Sequence, residues 1–135
     1  TGLIHQAYQS IDQKMRVSAA YAMGRTGDPS WLPTILQELD SNDPAMRYEA
    51  ASACGELGEE ETVPYLIPLL QDEDLQVQLS AIRALGALGG RLATRALQRC
   101  LDAPEEAIQE AAEDVLEQLE ADEDPLNIRF RLERE

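Results

Sequence analysis

Residues 43–58 read Asp43-Pro44-Ala45-Met46-Arg47-Tyr48-Glu49-Ala50-Ala51-Ser52-Ala53-Cys54-Gly55-Glu56-Leu57-Gly58. An acidic residue opens the stretch and caps the free N–H groups of a first turn. Pro44 then takes the first helical position, where a missing N–H costs nothing. Met46, Ala50, Ala53, Cys54 and Leu57 follow at steps of four, three, one and three, one stripe of an α-helix. Gly58 closes it, because glycine adopts the left-handed conformation that ends a helix.

The pattern recurs at a shift of 31 residues without a gap. Met15, Met46, Val77 and Ile108 form one column, and Ala19, Ala50, Ala81 and Ala112 another. Met23, Cys54, Leu85 and Leu116 align, as do Thr26, Leu57, Leu88 and Leu119. Asp12, Asp43, Asp74 and Glu105 open the units, while Gly24, Gly55, Gly86 and Gly27, Gly58, Gly89 punctuate three of them. The column Ala22, Ala53, Ala84, Val115 is small, so another helix can approach closely. First helices are expected over residues 13–25, 44–56, 75–87 and 105–119, with Met15 and Thr26 in the buried stripe of the first.

A second stripe follows each first helix. Leu32, Ile35, Leu36 and Leu39 align with Val63, Leu66, Ile67 and Leu70, then with Thr94, Leu97, Gln98 and Leu101. Asp28-Pro29 supplies a cap and a first-position proline, so second helices are expected over 29–40, 61–71 and 91–102. Pro68 lies too deep in its helix to be harmless, which predicts a kink near Tyr65–Pro68. Trp31 has no aromatic counterpart at Thr62 or Ala93 and is read as a plug in the turn between helices.

Neither helix can bury its stripe alone, so each hairpin must stack on its neighbours. The fold class is therefore all-α: a right-handed α-solenoid of stacked helical hairpins with a 31-residue repeat. The array is expected over 1–120: a half repeat at 1–11, repeats at 12–42, 43–73 and 74–104, and a polar capping helix at 105–120. A half repeat without an initial Met is expected to continue an array upstream. Residues 121–135 form a C-terminal tail, where Ile128 and Leu132 match the second-helix columns while Ile128, Phe130 and Leu132 also alternate with Arg129, Arg131 and Glu133 as in a strand.

Composition narrows the function. The 135 residues carry a net charge of −15, with 44% apolar but only 4% aromatic residues. The apolar share excludes wholesale disorder, and the shortage of aromatics fits Ala-lined helix contacts. A chain this acidic is a poor match for nucleic acid or an anionic membrane surface. The longest apolar run, Val63 to Leu70, is far short of a membrane span of about 18 residues and holds two prolines. Cys54 and Cys100 are read as free thiols in a reducing compartment, so the expected location is cytoplasmic.

Asp43 through Ala51, followed by Cys54-Gly55-Glu56-Leu57-Gly58, resembles the HEAT-like repeats first associated with phycobilisome lyases, as do Met15-Arg16 through Gly27 and Val77-Gln78 through Gly89. The resemblance covers residues 12–119. It implies that a basic residue at Arg16 and Arg47 reaches an acid of its own or a neighbouring unit, for which Asp40, Asp43 or Asp74 would serve. Gln78 and Gln109 interrupt that ladder. The family spans scaffolds, adaptors, enzyme regulators and chromophore-attaching proteins, and includes an iron-dependent hydroxylase built on His-Glu pairs. No His-Glu pair stands in this sequence.

Little in the chain is arranged for catalysis. His5 is its only histidine and falls in an apolar column, and one His with two distant Cys makes no zinc set. From Asp102 to Asp124 there are eleven acids and no base, read as a solvated capping face, with contact to a basic partner as the sharper alternative. Arg91, Arg95 and Arg99, four apart, line one helix face. They either neutralise Asp72, Asp102 or the last helix, or anchor a carboxylate or acidic segment of a partner.

The resemblance implies that second helices line the concave surface. Its solvent-side columns would be Thr34/Tyr65/Ala96, Gln37/Pro68/Arg99 and Glu38/Leu69/Cys100. Tyr65 and Leu69 would then stand exposed beside Arg99, an aromatic and Arg pairing typical of protein-binding hot spots. The sequence is accordingly read as a non-catalytic scaffold or adaptor, not an enzyme, with no cofactor. Its partner would be another protein, or another domain of the same chain, held through Thr34, Gln37, Glu38, Tyr65, Leu69, Arg91, Arg95 and Arg99. The alternatives are an accessory bilin-lyase-type subunit, with Arg95 and Arg99 at the chromophore's propionates, and a regulatory domain of a larger protein.

Overall fold

A computed structural model describes residues 2–123. They form eight α-helices and, among the described residues, no strand. In chain order these are α1 (Gly2–Tyr8), α2 (Gln13–Arg25), α3 (Leu32–Glu38), α4 (Pro44–Leu57), α5 (Val63–Leu66), α6 (Leu75–Leu88), α7 (Gly90–Arg99) and α8 (Glu106–Glu123). Helix α8 carries the expected tail's residues 121–123, and the remainder of that tail lies outside the described residues.

Local chemistry sets the helix starts. Asp12, Asp43 and Asp74 sit in extended backbone, and each carboxylate accepts a first-turn N–H, from Lys14 at 3.0 Å, Ala45 at 3.0 Å and Val77 at 3.1 Å. Asp28 does the same for Ser30, whose N–H holds the Asp28 carboxyl below the usual carboxylate range. In the first two units a 3₁₀ turn, Pro29–Trp31 or Glu60–Thr62, precedes the second helix. The third unit has none, because Gly89 and Gly90 both take positive φ, 69° and 89°, and α7 begins directly after α6.

Helices α2, α4, α6 and α8 pack in succession as one layer. A Cβ on Gly24 would lie 2.7 Å from the Cα of Ala53, and one on Gly55 would lie 3.0 Å from the Cα of Ala84. One on Gly86 would meet Val115 Cβ at 2.9 Å. Glycine against a small residue is thus the repeating contact that lets the backbones approach. The second helices bury Ile35, Leu66 and Leu97 completely, and Trp31, Thr62 and Ala93 form a further buried column. Trp31 fills its turn and meets the ring of His5 at 4.6 Å.

Two residues of the expected stripe lie outside the core. Met15 is 47% exposed although Met46, Val77 and Ile108 are buried, because only α1 precedes α2 among the described residues. Thr26 is exposed, and its hydroxyl donates to the Met23 carbonyl at 2.7 Å and accepts the Asp28 N–H at 3.0 Å, so it closes the helix by hydrogen bonding where Leu57, Leu88 and Leu119 bury themselves. The irregularity at Pro68 is present. Helix α5 stops at Leu66 and the chain tightens into a 3₁₀ turn over Ile67–Gln71.

The column Arg16, Arg47, Gln78, Gln109 joins hairpins to their loops. Arg47 donates from Nε and Nη2 to both carboxylate oxygens of Asp72, at 2.9 and 3.0 Å, and from Nη1 to the Ser41 carbonyl at 2.8 Å. Both side chains of this pair are 9% exposed, and Asp72 raises the Arg47 guanidinium further above its ordinary pKa. Asp72, rather than Asp40, Asp43 or Asp74, is the acid because it ends the second helix of the same unit, directly below Arg47. Arg16 donates to the Ser10 carbonyl, Gln78 to the Leu70 carbonyl at 3.0 Å, and Gln109 to the Ala103 carbonyl. The shared task of the column is to donate to a backbone carbonyl in the segment that precedes its helix, which Gln performs as well as Arg.

Candidate functional site

The second-helix layer presents three exposed columns one repeat apart: Pro29, Glu60, Arg91; Pro33, Pro64, Arg95; and Gln37, Pro68, Arg99. The positions that the third unit fills with arginine are thus mostly proline in the first two. Successive arginines on α7 are one helical turn apart, about 6 Å along the axis. None of the three forms an ion pair or hydrogen bond with a described residue, so direct pairing with Asp72, Asp102 or the described side chains of α8 is absent. Asp72 is committed to Arg47.

Tyr65 stands out at 58% exposure. It lines a hollow of about 550 Å³ between the starts of the first two second helices, walled by Pro29, Leu32, Pro33 and Leu36, with Glu59 and Glu61 contributing carboxylates. Arg99 lines a different hollow of about 410 Å³, with Ile67, Pro68, Asp102 and Glu105. Tyr65 and Arg99 therefore share a layer but not a cavity.

Three expected surface positions turn inward. Leu69 is 8% exposed, and Cys100 and Ala96 are buried. In a 3₁₀ turn residues three apart eclipse one another, so Leu69 falls beneath buried Leu66 and Cys100 beneath buried Leu97. Ala96 lies in the wall shared with Ile67 and Pro68. Thr34 and Glu38 are half-buried and Gln37 is exposed. Glu38 accepts the Tyr8 hydroxyl at 2.8 Å, and burial, reinforced by this bond, pushes the Tyr8 pKa up to about 12. Glu38 thus ties α1 to α3. Glu59 and Glu61 went unread as site residues, although the proline spacing that aligns with the arginines was visible.

Both cysteines are free and buried. Burial pushes the Cys54 thiol up to about 12, and raises Cys100 as well although Arg99 opposes it. Neutral buried thiols are poor nucleophiles and poor metal ligands. Among the described residues no group of three or more His, Cys, Asp or Glu could hold a metal ion. No helix among them is long and apolar enough to cross a membrane.

The family model for HEAT repeats matches residues 1–67 and 32–117. The chain belongs to the HEAT-repeat family. No curated protein matches the sequence of this HEAT-repeat array. Among solved structures it is similar to human deoxyhypusine hydroxylase, with 26% identity, a TM-score of 0.74, and coverage of 88% of this chain and 43% of that one. It also superposes on an engineered protein at 22% identity and a TM-score of 0.65, covering 88% of this chain and 62% of that one, a likeness of fold alone. The chain spans less than two thirds of either. The hydroxylase is an enzyme on the same HEAT-like framework, and this overturns the expectation that the chain is not an enzyme. That expectation rested on missing motifs, and the framework itself is compatible with catalysis.

Proposed function

We propose that this HEAT-repeat array is a scaffold or adaptor whose partner, another protein or another domain of the same chain, binds on the second-helix face. The observation that carries the reading is the row Arg91, Arg95 and Arg99, none of it paired with a described residue, on the helix packed beside exposed Tyr65 in a chain of net charge −15. Arginines that serve only to neutralise an acidic chain would be paired with its carboxylates. Arg and Tyr on a pre-formed surface are the residue types that dominate binding energies, and a rigid stack adds little ordering cost. The net charge disfavours nucleic acid and anionic membranes as partners. Two buried free thiols suit a cytoplasmic location.

Kinship with the phycobilisome-lyase type would make the cargo a bilin or its acceptor protein. The test is affinity purification from the source organism with the native chain and a Tyr65→Ala/Arg99→Glu variant. Both side chains are exposed, so thermal unfolding is expected to stay within a degree or two, on the order of ±0.5 kcal/mol. A partner recovered by the native chain is expected to be lost by the variant. Full retention by the variant would remove this face from consideration.

A further inference from the structure

The two ends of the second-helix face differ in charge. At the first two units, Glu59 and Glu61 flank the hollow at Tyr65, and neither forms an ion pair with a described residue. At the third unit, Arg91, Arg95 and Arg99 form no ion pair with a described residue either, and Arg99 shares its hollow with Asp102 and Glu105, so Arg91 and Arg95 are the cleanly basic part of the row. We infer that this face takes a single charge-segregated segment, a basic and apolar stretch in the hollow at Tyr65 and an acidic stretch along the arginine row. The inference rests on the protein-binding reading and gives the chemistry of the partner.

A uniformly acidic segment would meet Glu59 and Glu61, and a uniformly basic one would meet the arginines. Only a segment with its charges in blocks satisfies both ends. The hollow of about 550 Å³ has apolar walls of proline and leucine, which suits an apolar side chain, while its two carboxylates suit a neighbouring Lys or Arg. The arginines repeat every four residues along α7, about 6 Å per step. In an extended segment, side chains two apart share a face and lie about 6.6 Å apart, so acids at alternate positions match the row. The hollow lies between α3 and α5, and α5 packs beside α7, so the two stretches are separated by about one and a half helix spacings, roughly 15 Å, which about five extended residues cross. Unlike ends also fix the direction in which the segment runs.

Fluorescence anisotropy at low salt tests this with three labelled peptides of one composition. Two carry a Lys/Leu block and an alternating-Glu block in either order, and the third interleaves the same residues. One block order is expected to bind about ten-fold tighter than the interleaved peptide. Arg95→Glu/Arg99→Glu and Glu59→Lys/Glu61→Lys should each abolish that preference while thermal unfolding is unchanged. Equal binding of the interleaved peptide, indifference to both charge reversals, or no binding by either block peptide would overturn the inference. Binding that is insensitive to charge order but lost in Tyr65→Ala would overturn it while leaving the face a peptide-binding surface.

Discussion

Arg47 and Asp72 show how one residue's worth depends on what surrounds it. Their pair is nearly closed to solvent, and Asp72 also accepts the Asp74 N–H at 2.9 Å. Removing the arginine alone would strand a buried carboxylate and leave the Ser41 carbonyl without its donor. Arg47→Ala is therefore expected to cost about 3–5 kcal/mol in urea unfolding. The next unit does the same structural task with Gln78 and, in place of Asp72, Ala103. Arg47→Gln combined with Asp72→Ala copies that solution and should cost clearly less than the single substitution. If the double variant were the less stable of the two, the ion pair would be contributing net stability beyond its geometry. The sequence showed Arg47 to be structural but not its partner, because the helix end that brings Asp72 beneath it is a matter of three-dimensional placement.

Helices in this array are spaced by their glycines. The first-helix layer has backbone against backbone at Gly24/Ala53 and Gly55/Ala84, where an added Cβ would fall 2.7–3.0 Å from a Cα. Gly24→Ala and Gly55→Ala must push helices apart, and each is expected to lower stability by about 1–3 kcal/mol, measured as a shift in urea midpoint. Gly2→Ala, with nothing near its Cβ position, serves as the unaffected control. Gly86 faces a side chain instead, and its nearest atom is the Val115 Cβ, which alanine keeps, so Val115→Ala, which removes the Cγ1 at 3.0 Å, should rescue Gly86→Ala only in part. A cost for Gly24→Ala no larger than the control's would mean the layer is loosely packed. These spacers, like the Asp caps and helix-ending glycines, were legible because each acts within one turn or recurs at a fixed period. Tyr65 and the arginine row were legible for the same reason. Leu69 was not, since Pro68 tightens the coil and rotates the following residue inward. Nor was the hollow at Tyr65, which exists only when two second helices lie side by side.

A stack in which each hairpin contacts only its neighbours has no single core, so its stability is distributed along the array and ends open before the middle. Helix α1 has no buried residue, whereas α4 and α6 each bury seven. At the other end, α8 buries Ile108, Ala112 and Leu119 but carries no basic residue. Glu106/Glu110, Glu110/Asp114 and Glu113/Glu117 stand four apart along it. Like charges at that spacing each weaken a helix by about 0.2–0.5 kcal/mol, and salt screens the repulsion. Hydrogen exchange followed by mass spectrometry should therefore find slowest exchange in α4 and α6, fastest in α1, and an intermediate rate in α8. Raising the salt concentration should slow exchange in α8 more than in α4, whose buried contacts are apolar except for the Arg47–Asp72 pair, which burial shields from salt. The two effects separate the causes of weakness in α1 and α8: α1 packs without a fully buried residue, which salt cannot supply, while α8 has buried contacts opposed by its own charge. Uniform exchange along the chain would mean that the repeats unfold as one unit. An equal salt response in α8 and α4 would show that the acidic face is already relaxed by solvent.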